Sequence, residues 1–219
     1  MHLFKNKITD YLQAKCRKRR NLFFFSLITP ITKPLSILDI GGTVEFWENT
    51  DIINNSDFNI TLLNLEYFRS EYSNIHSIVG DARDLQIFDN NKFDIVFSNS
   101  VIEHVGDFHD QMKMAKEIQR VGKAYYVQTP NYYFPIEPHY RAIGFQFLPF
   151  NTKVYALQKF KMGRVEKITD RNSAVNEANR IRLLKPKELK YLFPQANIFK
   201  ERFFGFTKSL TAYYGFNLK

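Results

Sequence analysis

The sequence predicts an α/β domain. Its core is a doubly wound, mostly parallel seven-stranded sheet, with an antiparallel hairpin at the C-terminal edge and a helical extension at the N-terminus. Three observations predict it. Short, nearly all-apolar segments recur through the first 130 residues, the pattern of strands covered on both faces. Between them lie stretches with apolar residues at helical spacing, and such alternation implies parallel pairing with right-handed crossovers. Near the end, two more β-rich segments flank Gly205, a connection that suits a hairpin.

The elements follow in order. Residues around Phe4 to Arg20 read as a helix ending in the basic run Lys15-Cys16-Arg17-Lys18-Arg19-Arg20. Five strands are expected at Ser36–Ile40, Asn59–Leu65, His76–Val79, Phe93–Ser98 and Ala124–Gln128, each short and rich in β-branched or aromatic residues. Phe46, Trp47 and Ile53 give Glu45–Asn54 a helical spacing. Met112, Ala115 and Ile118 do the same for Asp107–Val121, and Gly122 stands where that helix would end. Pro130–Phe150 is aromatic, proline-containing and irregular. Leu184–Leu189 opens a helix with Pro186 near its first turn, and Asn197–Phe204 and Ser209–Phe216 are the last two strands. The expected organisation is an extension over 1–34, a domain over 35–219, and an insert or lid over about 130–183.

With 219 residues, 44% of them hydrophobic, the chain can bury one sizeable core. A single cysteine, Cys16, excludes a disulfide within the chain and points to a reducing, cytoplasmic compartment. No apolar run approaches the roughly 20 residues that span a bilayer. The run Leu22–Ile28 is closed by Pro30, its basic flank starts late and no small-residue cleavage site follows, so it does not read as a signal peptide. Net charge is +9, from 31 basic and 22 acidic residues. That balance fits nucleic acid, an anionic membrane or an acidic substrate, and it equally fits the Lys, Asn, Ile, Phe and Tyr bias of an AT-rich genome. The basic run precedes Phe23-Phe24-Phe25. A covering helix with a solvated basic face is the favoured reading. Peripheral contact with the inner membrane face through residues 15–28 comes second and nucleic acid third. The oligomeric state is open.

Chemistry-bearing residues gather at strand ends. The first strand breaks at Asp39-Ile40-Gly41-Gly42-Thr43, where a glycine turn lets backbone approach a ligand and a following helix presents free N–H groups. Glu66 ends the second strand, 25 positions after Gly41, where an acid can accept bonds from ribose hydroxyls. Asp81 ends the third, in Val79-Gly80-Asp81-Ala82-Arg83-Asp84-Leu85, and the fourth runs into Asn99-Ser100-Val101-Ile102-Glu103-His104. The carboxyl ends of successive strands are where open α/β sheets bind ligands.

The ordered blocks ILDIGG, LLNLE, VGDARDL, FDIVFSNSVIEHV, the strand before TPNYYFPIEPHY, and RLLKPKELKYLFP carry a resemblance over roughly residues 35–217. The chain resembles the class I S-adenosylmethionine-dependent methyltransferases, especially the type 11-like branch with Glu-His shortly after strand four. The resemblance implies a Rossmann-like fold, S-adenosyl-L-methionine as cofactor, and a transferase activity. It implies that Asp39, Gly41 and Gly42 shape the pocket for the methionine end, that Glu66 holds the ribose with Tyr67 near the adenine, and that Asp81 accepts the adenine amino group beside Ala82 and Arg83. Asn99 and Ser100 would line the cofactor's amino-acid end. The family's fuller pattern is Asp-x-Gly-x-Gly-x-Gly, and here Thr43 and Glu45 stand at the later glycine positions. A methyl donor has no pyrophosphate to cradle, so the relaxed loop counts against a dinucleotide more than against a sulfonium.

Methyl transfer needs the acceptor atom and methyl group held in line, and a base if the acceptor is a hydroxyl. His104 and His139 are the candidate catalytic groups, each with a structural alternative, and Glu137 could orient His139. Asn131, Tyr133, Glu137 and Tyr140 would wall an acceptor pocket for a small molecule or glycan, or pack as a lid. His2, His76 and His109 show no metal-ligand spacing, and no metal is expected. Two alternatives remain: a nicotinamide-dependent oxidoreductase, and a non-catalytic module of the same fold that binds membrane or RNA.

Overall fold

The computed structural model describes residues 16–217. Its main sheet has seven strands, β1 (Leu35–Ile40), β2 (Phe58–Asn64), β3 (Ile75–Val79), β4 (Phe93–Asn99), β5 (Gly122–Pro130), β8 (Asn197–Phe203) and β9 (Phe206–Tyr214), in the order β3-β2-β1-β4-β5-β9-β8. The first five pair in parallel; β9 runs antiparallel to β5, and β8 antiparallel to β9. The chain order reverses between β1 and β4, so the carboxyl ends of these two strands flank the natural ligand crevice.

Alternation along the strands fills two cores. Leu38, Ile40, Val96 and Val127 face one side, against α3 (Phe108–Val121) and α6 (Pro186–Leu192) through Met114, Ala115, Ile118 and Leu189. Asp107 caps α3 by accepting from the Asp110 N–H at 3.0 Å. Ile37, Ile60, Leu62, Ile95 and Phe97 face the other side, against helix α1 over residues 16–28 and short α2 (Val44–Glu48).

Helix α1 departs from expectation. It continues past Arg20 through the apolar run to residue 28 because that run is its buried face. Phe24 and Ile28 are buried, and Phe23 stacks on Phe199 with ring centroids 4.2 Å apart. The rings considered for membrane contact are therefore spent in the core; the portion of the expected helix before residue 16, and His2, lie outside the described residues. No described helix is long and apolar enough to cross a membrane.

Helix α2 stops at Glu48, well short of the expected Asn54. The Thr50 hydroxyl donates to the Trp47 carbonyl at 2.6 Å, which turns the chain and lets Trp47 sit fully buried. Residues 130–183 were expected to be irregular at their start. They hold a small hairpin, β6 (Ile136–Glu137) with β7 (Ala142–Ile143), and two helices, α4 (Phe150–Lys159) and α5 (Arg171–Asn179). Tyr140, Phe145, Val154, Leu157 and Ala174 give this lid its own small core.

Candidate active site

The Gly41-Gly42 turn is fixed from both sides. Gly41 has φ +71°, a left-handed conformation that side chains resist, and a Cβ there would meet Val101 Cγ2 at 2.6 Å. Gly42 has ordinary φ, yet a Cβ there would lie 1.8 Å from Asp39 Oδ2. The Asp39 carboxyl folds back under the loop, is 1% exposed, and accepts the Trp47 indole N–H at 2.8 Å. Burial pushes its pKa up to about 8, with the Trp47 bond pulling the other way. Asp39 thus holds the loop's shape and offers no charge to a ligand. Asn64 Nδ2 ties the loop further by donating to the Gly42 carbonyl at 2.7 Å. Thr43 then starts α2 in extended backbone, φ −125°, and Glu45 lies in its first turn, so neither position needs a glycine.

Three neighbouring cavities open along the carboxyl ends of the strands. The first, of 510 Å³, is walled by Gly41, Glu66, Asp81, Ala82, Val101 and His104. Glu66 is exposed on its rim. Gly80 keeps the floor open, since a Cβ there would press on Leu63 at 2.8 Å. The Asp81 carboxylate is engaged by Arg83, through Nη2 at 2.6 Å and Nε at 3.0 Å, and those bonds hold its pKa below the usual range. Tyr67 is exposed and does not line this cavity; Phe68 does. The second cavity, of 1170 Å³, runs from the Gly41-Gly42 loop to α1 past Phe97 and Asn99. The third, of 750 Å³, lies under the lid and is lined by Ser100, Gln128 and His139. Ser100, at φ +60°, donates to Gln128 Oε1 at 2.8 Å. Asn99 and Ser100 thus face different cavities.

The two candidate histidines meet where the first and third cavities adjoin. His104 lines the first, His139 the third, and their rings stand edge to face with centroids 4.8 Å apart. Behind His139, buried Glu137 bonds its Nδ1 at 2.7 Å and accepts the Tyr140 N–H at 2.6 Å. A carboxylate on Nδ1 fixes the Nδ1–H tautomer and leaves Nε2 as a proton acceptor. His104 is pushed down to about 4, first by burial and then by His139, so its ring is neutral near pH 7. Below it Glu103 is fully buried; its Oε2 accepts the Thr129 hydroxyl at 2.9 Å, while Oε1 has no hydrogen-bond partner. Burial raises the Glu103 pKa to about 7. Glu103, His104 and His139 each offer one donor atom, all within 4.8 Å of one another. Such a set could hold a divalent cation after contraction, since donors around zinc at 2.0–2.1 Å lie roughly 3.3 Å apart. The sequence hid this set, because His139 stands 35 positions after His104.

Of the expected acceptor residues, Glu137 stands behind His139, and the other three do not line the third cavity. Asn131 Nδ2 donates to the Thr207 carbonyl at 2.7 Å, locking β5 to β9. Tyr140 is buried in the lid core and donates to the Glu177 carbonyl at 2.9 Å. Tyr133 is exposed on the surface, edge-on to Tyr132. Sequence reasoning passed over Glu103, although it is half of the Glu-His pair, and over Arg180, which enters the third cavity from the end of α5. Arg17 and Arg20 stood out only as part of the basic run, and no local pattern announces that they enter this cavity.

Residues 48–124 match the model of a methyltransferase domain. The match begins after the Gly41-Gly42 turn and covers the ends of β2, β3 and β4. Over 49 residues the chain is 37% identical to an uncharacterized protein found in two strains of Mycobacterium tuberculosis; the match spans 22% of this chain and 17% of that one. Among solved structures, a "possible exported protein" of Bordetella parapertussis aligns with TM-score 0.56 and 12% identity, over 90% of this chain and 66% of that one. A protein of Nostoc punctiforme assigned as an O-methyltransferase aligns with TM-score 0.50 and 14% identity, over 88% and 55%. These structures share the fold.

Proposed function

We propose that the chain is a class I S-adenosylmethionine-dependent methyltransferase that methylates a hydroxyl of a small molecule or glycan held beneath the lid. The observation that carries this reading is the Glu137–His139–His104 chain at the junction of two cavities. The first two cavities suit the cofactor. The glycine cradle at Gly41 and Gly80 admits an adenosine without side-chain obstruction, and the exposed Glu66 carboxylate is free to accept two ribose hydroxyls. Ala82 and Phe68 offer apolar walls for the base, and the Asp81–Arg83 pair lies at its edge. Asn99 and the Gly41-Gly42 backbone line the methionine end. When bound, the cofactor supplies an electrophilic methyl group. The protein's part is to hold an acceptor oxygen against His139, whose Nε2 takes the hydroxyl proton while Glu137 steadies the ring. His104, neutral and exposed at the mouth of the first cavity, stands edge-on to His139 across the junction.

Calorimetric titration with S-adenosylhomocysteine tests the reading. Binding to the wild type, weakened 10- to 100-fold in Glu66→Ala, is expected from the loss of hydrogen bonds to a charged group. No binding to the wild type sinks it. The unpartnered Glu103 Oε1 favours a second reading, in which a divalent cation at Glu103, His104 and His139 orients the acceptor oxygen. Methyl transfer abolished by a chelator and restored by added Mg²⁺ or Zn²⁺ would select it over proton abstraction by His139.

A further inference from the structure

The third cavity is lined by six cationic side chains, Arg17, Arg20, Arg141, Arg164, Arg180 and Lys208, and by one acid, Glu177. The six come from α1, the β6–β7 turn, the loop after α4, the end of α5 and β9. Like charges gathered from five places repel one another, and solubility alone would spread them over the surface. Some are internally matched: Arg20 pairs with Glu201 at 3.1 Å and Arg180 with Glu177 at 3.0 Å. Arg17, Arg164 and Lys208 make no ion pair among the described residues, and the buried Nε of Arg20 has no hydrogen-bond partner. Phe134, Pro138 and Val165 supply apolar wall between the charges, and His139 opens on the same space. The lining therefore asks for an organic body that carries concentrated negative charge. A single carboxylate would match one guanidinium fork; several cations around one space match phosphate or diphosphate oxygens.

We propose that the acceptor is a phosphorylated small molecule, its phosphate or diphosphate gripped by Arg17, Arg164 and Lys208 and its hydroxyl turned toward His139. This rests on the reading of the third cavity as the acceptor site. It also gives the basic run at residues 15–20 a role: Arg17 and Arg20, one helical turn apart, face the cavity while α1 buries its aromatic side in the core.

The test uses the full chain at constant ionic strength, with inorganic pyrophosphate as the probe in calorimetry and thermal shift. Pyrophosphate is expected to bind and raise the melting temperature, with succinate at least tenfold weaker. The double variant Arg164→Gln/Lys208→Gln should weaken pyrophosphate at least tenfold and leave S-adenosylhomocysteine affinity within twofold. Lys187→Gln, on α6 and outside the lining of all three cavities, should change neither. If S-adenosylhomocysteine binds but pyrophosphate does not, or binds equally to the double variant, the inference fails and the cofactor reading stands. If S-adenosylhomocysteine itself does not bind, the cofactor reading fails. Succinate binding as tightly as pyrophosphate would overturn phosphate selectivity. A single-stranded RNA oligomer that outcompetes pyrophosphate would overturn the small-molecule assignment.

Discussion

The two halves of the site are built differently. The donor half hangs mainly on the carboxyl ends of β1 to β4, with α1 closing the far side of its second cavity. The acceptor half is assembled from α1, the lid and β9, segments up to about 190 residues apart in the chain. A half set by strand ends is fixed by the core of the sheet. A half set by a lid with its own small core can be altered without disturbing the sheet. Variants should therefore separate the two halves.

The largest separation is expected at His139. His139→Gln should lower methyl transfer by about 10²- to 10⁴-fold, the usual span for a general base. Its S-adenosylhomocysteine affinity should stay unchanged, because His139 lies outside the donor cavity. Transfer from labelled methyl donor into phosphorylated small-molecule extracts would measure it. Loss of cofactor affinity in step with transfer would show that the halves are not separable.

Gly42→Ala should act on the other half. The new methyl would displace Asp39 and, with it, the Trp47 bond that sets the loop. Affinity for S-adenosylhomocysteine should fall more than 100-fold, and stability by about 3 kcal/mol as in other overpacked cores. Pyrophosphate binding at folded temperatures should persist. Glu66→Ala is milder: the 10- to 100-fold loss of affinity expected above should come with no change in melting temperature, because Glu66 is exposed. A drop in melting temperature would recast Glu66 as a structural residue.

The same division explains what could be read from the sequence. The ends of β1, β2, β3 and β4 are legible because a strand's apolar run fixes where its last residue stands, and Glu66, Asp81 and Asn99 follow directly. His139 and Glu137 are legible as a pair because they are two positions apart in one turn. Arg17, Arg164 and Arg180 are not, since only the packing of α1 and the lid brings them together. Helices α4 and α5 escaped for a related reason. Few fully buried residues mark them: Val154 and Leu157 on one and Ala174 on the other, in one cluster with Tyr140 and Phe145 of the preceding segment. Burial was the other hidden quantity. Asp39 reads as a ligand-facing acid, but the missing Cβ of Gly42 leaves room for its carboxyl to turn inward.

That inward turn makes the smallest effect per measured step, a pH slope. The folded-state pKa of Asp39 is raised from 3.8 to about 8 by burial. Between those values the folded chain holds a proton that the unfolded chain releases. The contribution to stability is therefore full below about pH 4 and is lost as pH rises toward 8, by at most about 1.4 kcal/mol per pH unit. Glu103, raised to about 7, slopes the same way, and His104, lowered to about 4, slopes the opposite way as pH falls below 6.5. Both are unchanged in Asp39→Asn, which keeps an oxygen for the Trp47 indole. Subtracting the variant's denaturant-unfolding curve from the wild type's, pH by pH, isolates Asp39. The wild type should lose stability relative to the variant from pH 5 to 8. A flat difference would mean that Asp39 is charged in the fold, and the loop would then carry a buried negative charge beneath the methionine end of the cofactor.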